Sequence, residues 1–307
     1  MKPIVDYAKV FETLVQKTQD YLQENGLKSM ILGISGGIDS TVAAAICHAV
    51  SKETGIPLIG RSLPTKHNKE GETTTADLVG NAFCTDYKVF NMDLTYRKFA
   101  HDITFSEGLI DTSGPFDFDK KLPKQTNLAN GNIQARLRMI YLYNLASIYK
   151  GIVIDTDNLT ENNLGYFTIH GDVGDFNPIG CLWKTEVFKL ANWLFNVYKN
   201  NDYTYLTKAE AMWASLQLQP TAGLGITDND LEELGAESYE QVDYILQEIL
   251  AWKWISLEYR KDKYNSIEEM QEAFLEEQAM LNMPIKVIVN ITKRHFSSEF
   301  KRKQLPI

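Results

Sequence analysis

Ser29-Met30-Ile31-Leu32-Gly33-Ile34 runs straight into Ser35-Gly36-Gly37-Ile38-Asp39-Ser40, and an Ala-rich apolar stretch follows to Val50. The first six residues read as a short buried strand, the next six as a glycine loop, and Ser40 to Val50 as a closely packed helix. A loop between a parallel strand and a helix N-terminus turns free backbone N–H groups outward, and the helix dipole adds partial positive charge there. An anion fits that position. Gly36 and Gly37 let the backbone approach phosphate oxygens, and Ser35 and Ser40 add hydroxyl donors. A carboxylate beside a polyphosphate repels it unless a divalent cation lies between, so Asp39 points to Mg2+. A tight turn whose helix is capped by Asp39 or Ser40 is the plain structural alternative, and both readings hold together. Neither G-x-x-x-x-G-K-[ST] nor a spaced G-x-G-x-x-G occurs, so this is a different phosphate grip.

Outward from the loop the same unit repeats. An amphipathic helix over residues 4 to 22 ends at Asn25-Gly26, and strands are expected at Pro57 to Leu63, Tyr87 to Met92 and Gly151 to Asp155. Helices are expected at Thr73 to Phe83 and Ile133 to Tyr149, and from Ser238 onward the chain reads as helical and charged. The stretch Thr104 to Asn132, rich in Gly, Pro, Asp and Lys, predicts a long surface loop or lid. Alternating strands and helices predict an α/β fold, an open, mainly parallel sheet with helices on both faces and helical additions at each end. With 307 residues and 44% hydrophobic content, the expectation is one domain over 1–307: an N-terminal helix at 1–29, an α/β core at 30–235, and a mostly helical region at 236–307.

A net charge of −9 argues against a nucleic-acid substrate, because only Lys293 to Lys303 is noticeably basic. Apolar runs stop short of the roughly 18 residues of a membrane span, so no membrane and a cytoplasmic location are expected. Cys47, Cys84 and Cys181 lie far apart, which suggests buried reduced thiols rather than a zinc knuckle or disulfide framework.

The Ser35 to Ser40 loop resembles the signature of the N-type ATP pyrophosphatases, or PP-loop enzymes, of the adenine nucleotide alpha hydrolase-like fold. The second block is Gly131-Asn132-Ile133-Gln134-Ala135-Arg136-Leu137-Arg138-Met139, then Asp155-Thr156-Asp157-Asn158-x-x-Glu161, then Gly165-Tyr166-Phe167-Thr168-x-x-Gly171-Asp172. With Asn177-Pro178, Lys184, Pro220 to Leu224, Leu234-Gly235 and Tyr239 in order, it resembles the ammonia-dependent NAD synthetases over about residues 30 to 245. The resemblance implies amidation of deamido-NAD by ammonia, through an adenylate formed from ATP, with release of pyrophosphate and AMP. It implies ATP contacts at Gly33, Ile34, Ser35, Gly36, Gly37, Ile38, Asp39, Ser40, Ser62, Thr156, Lys184 and Thr221, and Mg2+ on Asp39 and Glu161. It also implies substrate contacts at Arg136, Tyr166, Phe167, Ile169, Asp175 and Lys301, catalytic roles for Asp172 and Lys184, and a homodimer whose substrate site lies at the interface.

Each residue has an ordinary structural role as its alternative. Arginines on a helix are usually solvated, aromatics usually core, and Asp172 lies between Gly171 and Gly174 where a turn acid fits. The chain also departs from the family pattern. Asp155 stands where glycine is usual, Ile169 where a substrate-binding lysine is usual, Ser62 where an arginine is usual with Arg61 beside it, and Gly171 to Asp175 is one residue short. Phe300-Lys301-Arg302 replaces a histidine-lysine stretch, and Ala251 to Ile291 is longer than the pattern. A different PP-loop ligase, or a nucleotide-binding protein without the synthetase reaction, is the rival reading.

Overall fold

The computed structural model describes residues 6–66, 68, 70–107, 124–218, 230–259, 267–278 and 283–303. Along the chain run α1 (Tyr7–Glu24), β1 (Met30–Gly33), α2 (Ile38–Thr54), β2 (Leu58–Ser62), α3 (Glu70–Phe83), β3 (Asp86–Val89), α4 (Asp93–Ser106), α5 (Lys124–Tyr149) and β4 (Ile152–Ile154). Then follow α6 (Leu159–Leu164), α7 (Lys184–Lys199), α8 (Leu206–Gln217), α9 (Asp230–Leu234), α10 (Tyr239–Tyr259), α11 (Ile267–Gln278), α12 (Ile285–Ser297) and α13 (Glu299–Arg302).

The strands form a parallel sheet in the order β3-β2-β1-β4. Successive residues of a strand face opposite sides, and parallel strands covered on both faces read as continuous apolar runs. Met30 and Leu32 of β1, with Leu58, Ile152 and Ile154, join a cluster with α1, α2, α7 and α8. Ile31, Ile59 and Val153 turn the other way, onto Met139, Leu142 and Ala146 of α5. Helices therefore cover both faces, as the alternation predicts.

The C-terminal helices form a further apolar cluster, in which Val242, Ile245 and Ile249 of α10 and Val287, Ile288 and Ile291 of α12 pack with Leu164 and Trp183. Those two residues belong to α6 and to the turn before α7, so this cluster rests directly on the elements that follow β4. No described helix is long and apolar enough to cross a membrane.

Three expectations are corrected. The loop expected from Thr104 to Asn132 is helical at both ends: α4 runs to Ser106 and α5 starts at Lys124, while 108–123 lie outside the described residues. Its polar residues have interior partners, which is why they fit a helix. Asn132 accepts the Thr168 hydroxyl at 2.9 Å, and just beyond the expected loop, in the stretch read as helix, Gln134 accepts that of Thr65 at 2.7 Å. The strand expected to reach Met92 stops at Val89, because Asn91 caps the N–H of Asp93 at the start of α4. Of the thiols expected to be buried, Cys47 is buried, Cys84 half-buried and Cys181 exposed.

Candidate active site

Connections leave β1 toward β2 on one side and pair it with β4 on the other, so the order of the sheet reverses between β1 and β4. Open parallel sheets bind ligands in the crevice beyond the strand ends at such a point. The phosphate loop follows β1, and Asp155 to Asn158 follows β4.

The loop is built by its glycines. Gly36 sits at φ +85°, and a Cβ there would lie 2.5 Å from the Glu72 carbonyl oxygen and 2.8 Å from the Ala76 nitrogen. No other residue type fits both the space and the dihedral. Gly37 is the N-cap of α2 and offers no side chain to its free N–H groups. Ser35 Oγ lies 2.9 Å from Ser40 Oγ, the Gly37 N–H donates to Ser35 Oγ at 3.2 Å, and Ser40 Oγ donates to the Gly37 carbonyl at 3.0 Å. The result is a closed ring of short polar contacts around a helix N-terminus whose first N–H groups are available to an anion. Gly33 closes β1, and the side chain of Ile34 lies in the core, leaving only its backbone for a ligand.

Asp39 is held in place from the far side of the crevice. Its Oδ1 accepts from Asn158 Nδ2 at 2.9 Å and its Oδ2 from Lys184 Nζ at 2.5 Å. The same ammonium donates to Glu161 Oε1 at 3.1 Å. Asn158 and Glu161 form a capping box on α6: each backbone N–H donates to the other's side chain, at 3.1 and 3.0 Å. The Asn158 amide thus caps α6 and positions Asp39 at once. Burial alone would lower the Lys184 pKa, but Asp39 and Glu161 hold it well above the ordinary value. Burial pushes the Glu161 carboxyl up to about 7 although Lys184 pulls the other way.

Lys184 begins α7, and α10 secures it. Asp243, 2% exposed, accepts from the Thr160 hydroxyl and from the Thr185 N–H, the latter at 3.0 Å, and Thr160 Oγ1 accepts from the Lys184 N–H at 2.8 Å. Tyr239, four residues earlier on the same helix, has its ring centroid 5.6 Å from Lys184 Nζ. One face of α10 therefore fixes the helix start from which Lys184 reaches across to Asp39.

Acid residues crowd beyond β4. Asp155, 6% exposed, accepts the N–H groups of Asp157 and Gly174 at 2.8 and 3.1 Å, and burial raises its pKa to about 6. The side chain that departs from the family pattern therefore knits two loops together. Asp172 accepts the Thr168 N–H at 2.6 Å, and burial raises its pKa too.

The residues expected to hold the second substrate line a half-open cavity of about 600 Å3. Arg136, Phe167, Ile169, Asp175 and Lys301 all border it, with Met139, Ile140 and His170. Arg136 donates to the Ile169 carbonyl at 3.2 Å, and Lys301 reaches the carbonyls of Gly165 and Phe167 at 2.8 and 2.5 Å. Asp175 is tied to the sheet through the Val153 N–H at 2.9 Å and accepts the Tyr143 hydroxyl at 3.2 Å.

Other expected residues stand apart. Tyr166 packs with the C-terminal cluster, 4.5 Å beneath the Arg294 guanidinium, so the Tyr166-Phe167 pair splits between two sides of its segment of chain. Ser62 is buried in β2 at the β3 side, and Arg61 is paired with Asp86 at 2.7 Å. Arg138 is also engaged away from the cavity, donating to the Leu63 carbonyl and Asn68 at 3.1 Å. Thr156, half-buried, follows β4 beside the crevice. Thr221 lies outside the described residues.

Asn158, Thr160, Asp157, His170 and Asp243 were not among the expected site residues. The Asn158-x-x-Glu161 spacing of a capping box was a legible signal for the first. Asp157 stands in the same quoted motif, whereas Thr160, His170 and Asp243 depend on contacts distant in sequence.

The NAD synthase family model matches residues 10–305. An NH3-dependent NAD+ synthetase of Thermococcus sibiricus is 32% identical over 305 residues, covering 99% of this chain and 97% of its own length. One from Campylobacter jejuni is 30% identical and covers 78% of this chain and 82% of its own. In fold, the chain is similar to an NMN synthetase of Francisella tularensis, with a TM-score of 0.69 at 24% identity and 99% of each chain covered. It is likewise similar to an NH3-dependent NAD synthetase of Campylobacter jejuni, at TM-score 0.60, 21% identity and 99% of each chain.

Proposed function

The chain belongs to the NAD synthase family, and from that premise we propose that it amidates deamido-NAD with ammonia at the expense of ATP, releasing AMP and pyrophosphate. The observation that carries the reading is the convergence of a phosphate-gripping helix N-terminus, Asp39, Glu161 and the buried Lys184 ammonium at one sheet crevice, next to a cationic, partly apolar cavity.

The ATP triphosphate lies on the Gly36 to Ser40 loop, where N–H groups and hydroxyls donate to its oxygens. Gly33, Ile34 and Thr156 border the nucleotide, and Ser62 and Thr221 are its further candidate contacts. The donor set suits Mg2+: Asp39 and Glu161 present hard oxygens on the two sides of the crevice, and more acids than cations face it. Bound there, the ion would neutralise phosphate charge. Lys184 then stabilises the negative charge that grows on pyrophosphate as it leaves, in a recessed site where such an interaction counts most.

The dinucleotide occupies the 600 Å3 cavity. Arg136 and Lys301 attract its anionic groups, and Phe167 and Ile169 supply flat apolar contact. Its nicotinate carboxylate oxygen attacks the α-phosphorus, forming the mixed anhydride with AMP while the bond to pyrophosphate breaks. Ammonia then adds at the carboxyl carbon and AMP departs, with Asp172 near the incoming nitrogen. The cavity is bordered by exposed Ile140 on α5, whose outer face also exposes Leu128, Tyr143 and Ile148. An apolar face of this kind suits a second copy, and a homodimer would complete the cavity wall. A cytoplasmic location accords with a reaction fed by ATP.

Purified protein incubated with ATP, Mg2+, ammonium and deamido-NAD should form NAD with equal amounts of AMP and pyrophosphate. ATP binding without any NAD formed overturns the reading.

A further inference from the structure

Four side chains of α12 meet a second, smaller cavity. Asn290, Lys293, Arg294 and Ser297 are spaced i, i+3, i+4 and i+7, so they share one face of the helix. That face borders a pocket of about 260 Å3, whose other walls are Tyr166 and, from α9, Glu233 and Leu234. Pockets for drug- and cofactor-sized ligands run from about 300 to 1,000 Å3, so this one suits something smaller than a dinucleotide. None of its residues borders the 600 Å3 cavity.

The pocket is held in shape by hydrogen bonds that leave its charged ends open. Asn290 Nδ2 donates to the Leu234 carbonyl at 3.1 Å and so pins the end of α9 to α12. Arg294 Nε donates to the Leu164 carbonyl at 3.1 Å, and the guanidinium carbon lies 4.5 Å from the centroid of the Tyr166 ring. Its two terminal nitrogens make no hydrogen bond among the described residues, for Glu233 Oε1 stands 3.8 Å from Nη1, beyond hydrogen-bond reach. The exposed Lys293 ammonium has no partner among the described residues either.

Cations in the last turn of a helix suit its dipole, and that alone accounts for basic residues here. It does not account for a guanidinium stacked on an aromatic ring, with both fork ends open to a pocket that a second cation also borders. A stacked, pre-positioned guanidinium suits phosphate, whose oxygens take the fork in pairs, and an ammonium serves the same anion as a point charge. Two cations against one carboxylate give the pocket a net positive charge in a chain whose total is −9. Glu233 repels a bare anion but accepts from hydroxyl groups, so the ligand that fits carries both phosphate and hydroxyls.

We propose that this pocket is a second ligand site, for a small sugar phosphate, with Arg294 and Lys293 on the phosphate and Glu233 on the hydroxyls. It lies behind the wall of the larger cavity: Tyr166 adjoins Phe167, and Lys301 holds the carbonyls of Gly165 and Phe167 on either side of it. The proposal does not rest on the amidation reading. Ribose 5-phosphate titrated into the full chain, with ATP and Mg2+ present to fill the phosphate loop, should bind. Lys293→Gln should weaken that binding about five- to tenfold, whereas Arg136→Gln, in the larger cavity, should leave it within about twofold. Glu233→Ala should weaken ribose 5-phosphate and spare inorganic phosphate. Ribose 5-phosphate that does not bind, or binding indifferent to Lys293→Gln, overturns the site, and equal affinity for inorganic phosphate overturns the sugar phosphate as its ligand. Wild-type crystals soaked in tungstate, a tetrahedral oxyanion, provide a measurement free of any folding defect in the variants. An anomalous peak against the Arg294 terminal nitrogens is expected, and its absence there contradicts the assignment.

Discussion

Gly36 leaves the least room for change: its φ is +85°, and any Cβ at this position would meet the Glu72 carbonyl oxygen at 2.5 Å. Gly36→Ala should destabilise the protein by about 1–3 kcal/mol and weaken ATP binding, checked by thermal melting and nucleotide titration. Lys184→Met should lower kcat about a hundred- to a thousandfold, as loss of a preorganised charge does, with a much smaller effect on the KM for deamido-NAD, read from steady-state kinetics. The crowded acids set a pH dependence. Glu161 titrates at about 7 in the folded chain against an ordinary 4.5, and Asp155 at about 6 against 3.8. A raised carboxyl stabilises the fold fully below its unfolded pKa and loses that contribution as pH rises through the folded value. His48, whose pKa burial lowers, works the opposite way below about 6.5. The Tm of nucleotide- and metal-free protein should therefore fall between about pH 6.5 and 8, and a flat or rising Tm there contradicts the assignment. The loop residues were legible because glycine, serine and aspartate carry their chemistry in their identity. The role of Asp155 was not, because one of the N–H groups it accepts belongs to Gly174, some twenty residues along the chain.

At the scale of elements, α10 is the part that sequence patterning described least well. Its apolar residues announced a helix, but nothing announced that Tyr239 and Asp243 share the face turned to α6 and α7. That face connects a region outside the sheet to the lysine in the crevice. Asp243→Ala leaves the Thr160 hydroxyl and Thr185 N–H without their acceptor and should cost about 1–3 kcal/mol of stability. It should also lower kcat while sparing the KM for ammonium, and Asp243→Asn, which retains one acceptor oxygen, should recover part of the loss. The α5 segment teaches the converse. Asn132 read as loop because its polarity was visible, whereas its interior acceptor role toward Thr168 was not. Strand and helix alternation was legible because burial on both faces of a parallel sheet leaves unbroken apolar runs.

For the whole molecule, the exposed apolar side chains concentrate along the outer face of α5 and the neighbouring β3 and α4, including Ile140, Ile148, Phe90 and Leu94. Sedimentation velocity should give a dimer for the wild type, and Ile140→Glu should shift it toward monomer and raise the KM for deamido-NAD, since Ile140 also borders the cavity. Family membership covers nearly the whole chain, so the departures at Asp155 and Ile169 belong to a shared framework rather than to a different one. The proposed chemistry makes one demand that no simple ATPase shares: a carboxylate oxygen of the nicotinate must pass to AMP. Deamido-NAD labelled with 18O in that carboxylate, turned over with ATP, Mg2+ and ammonium, should yield AMP carrying the label in its phosphate. Label confined to the amide or to pyrophosphate, with none in AMP, would contradict adenylation of the carboxylate.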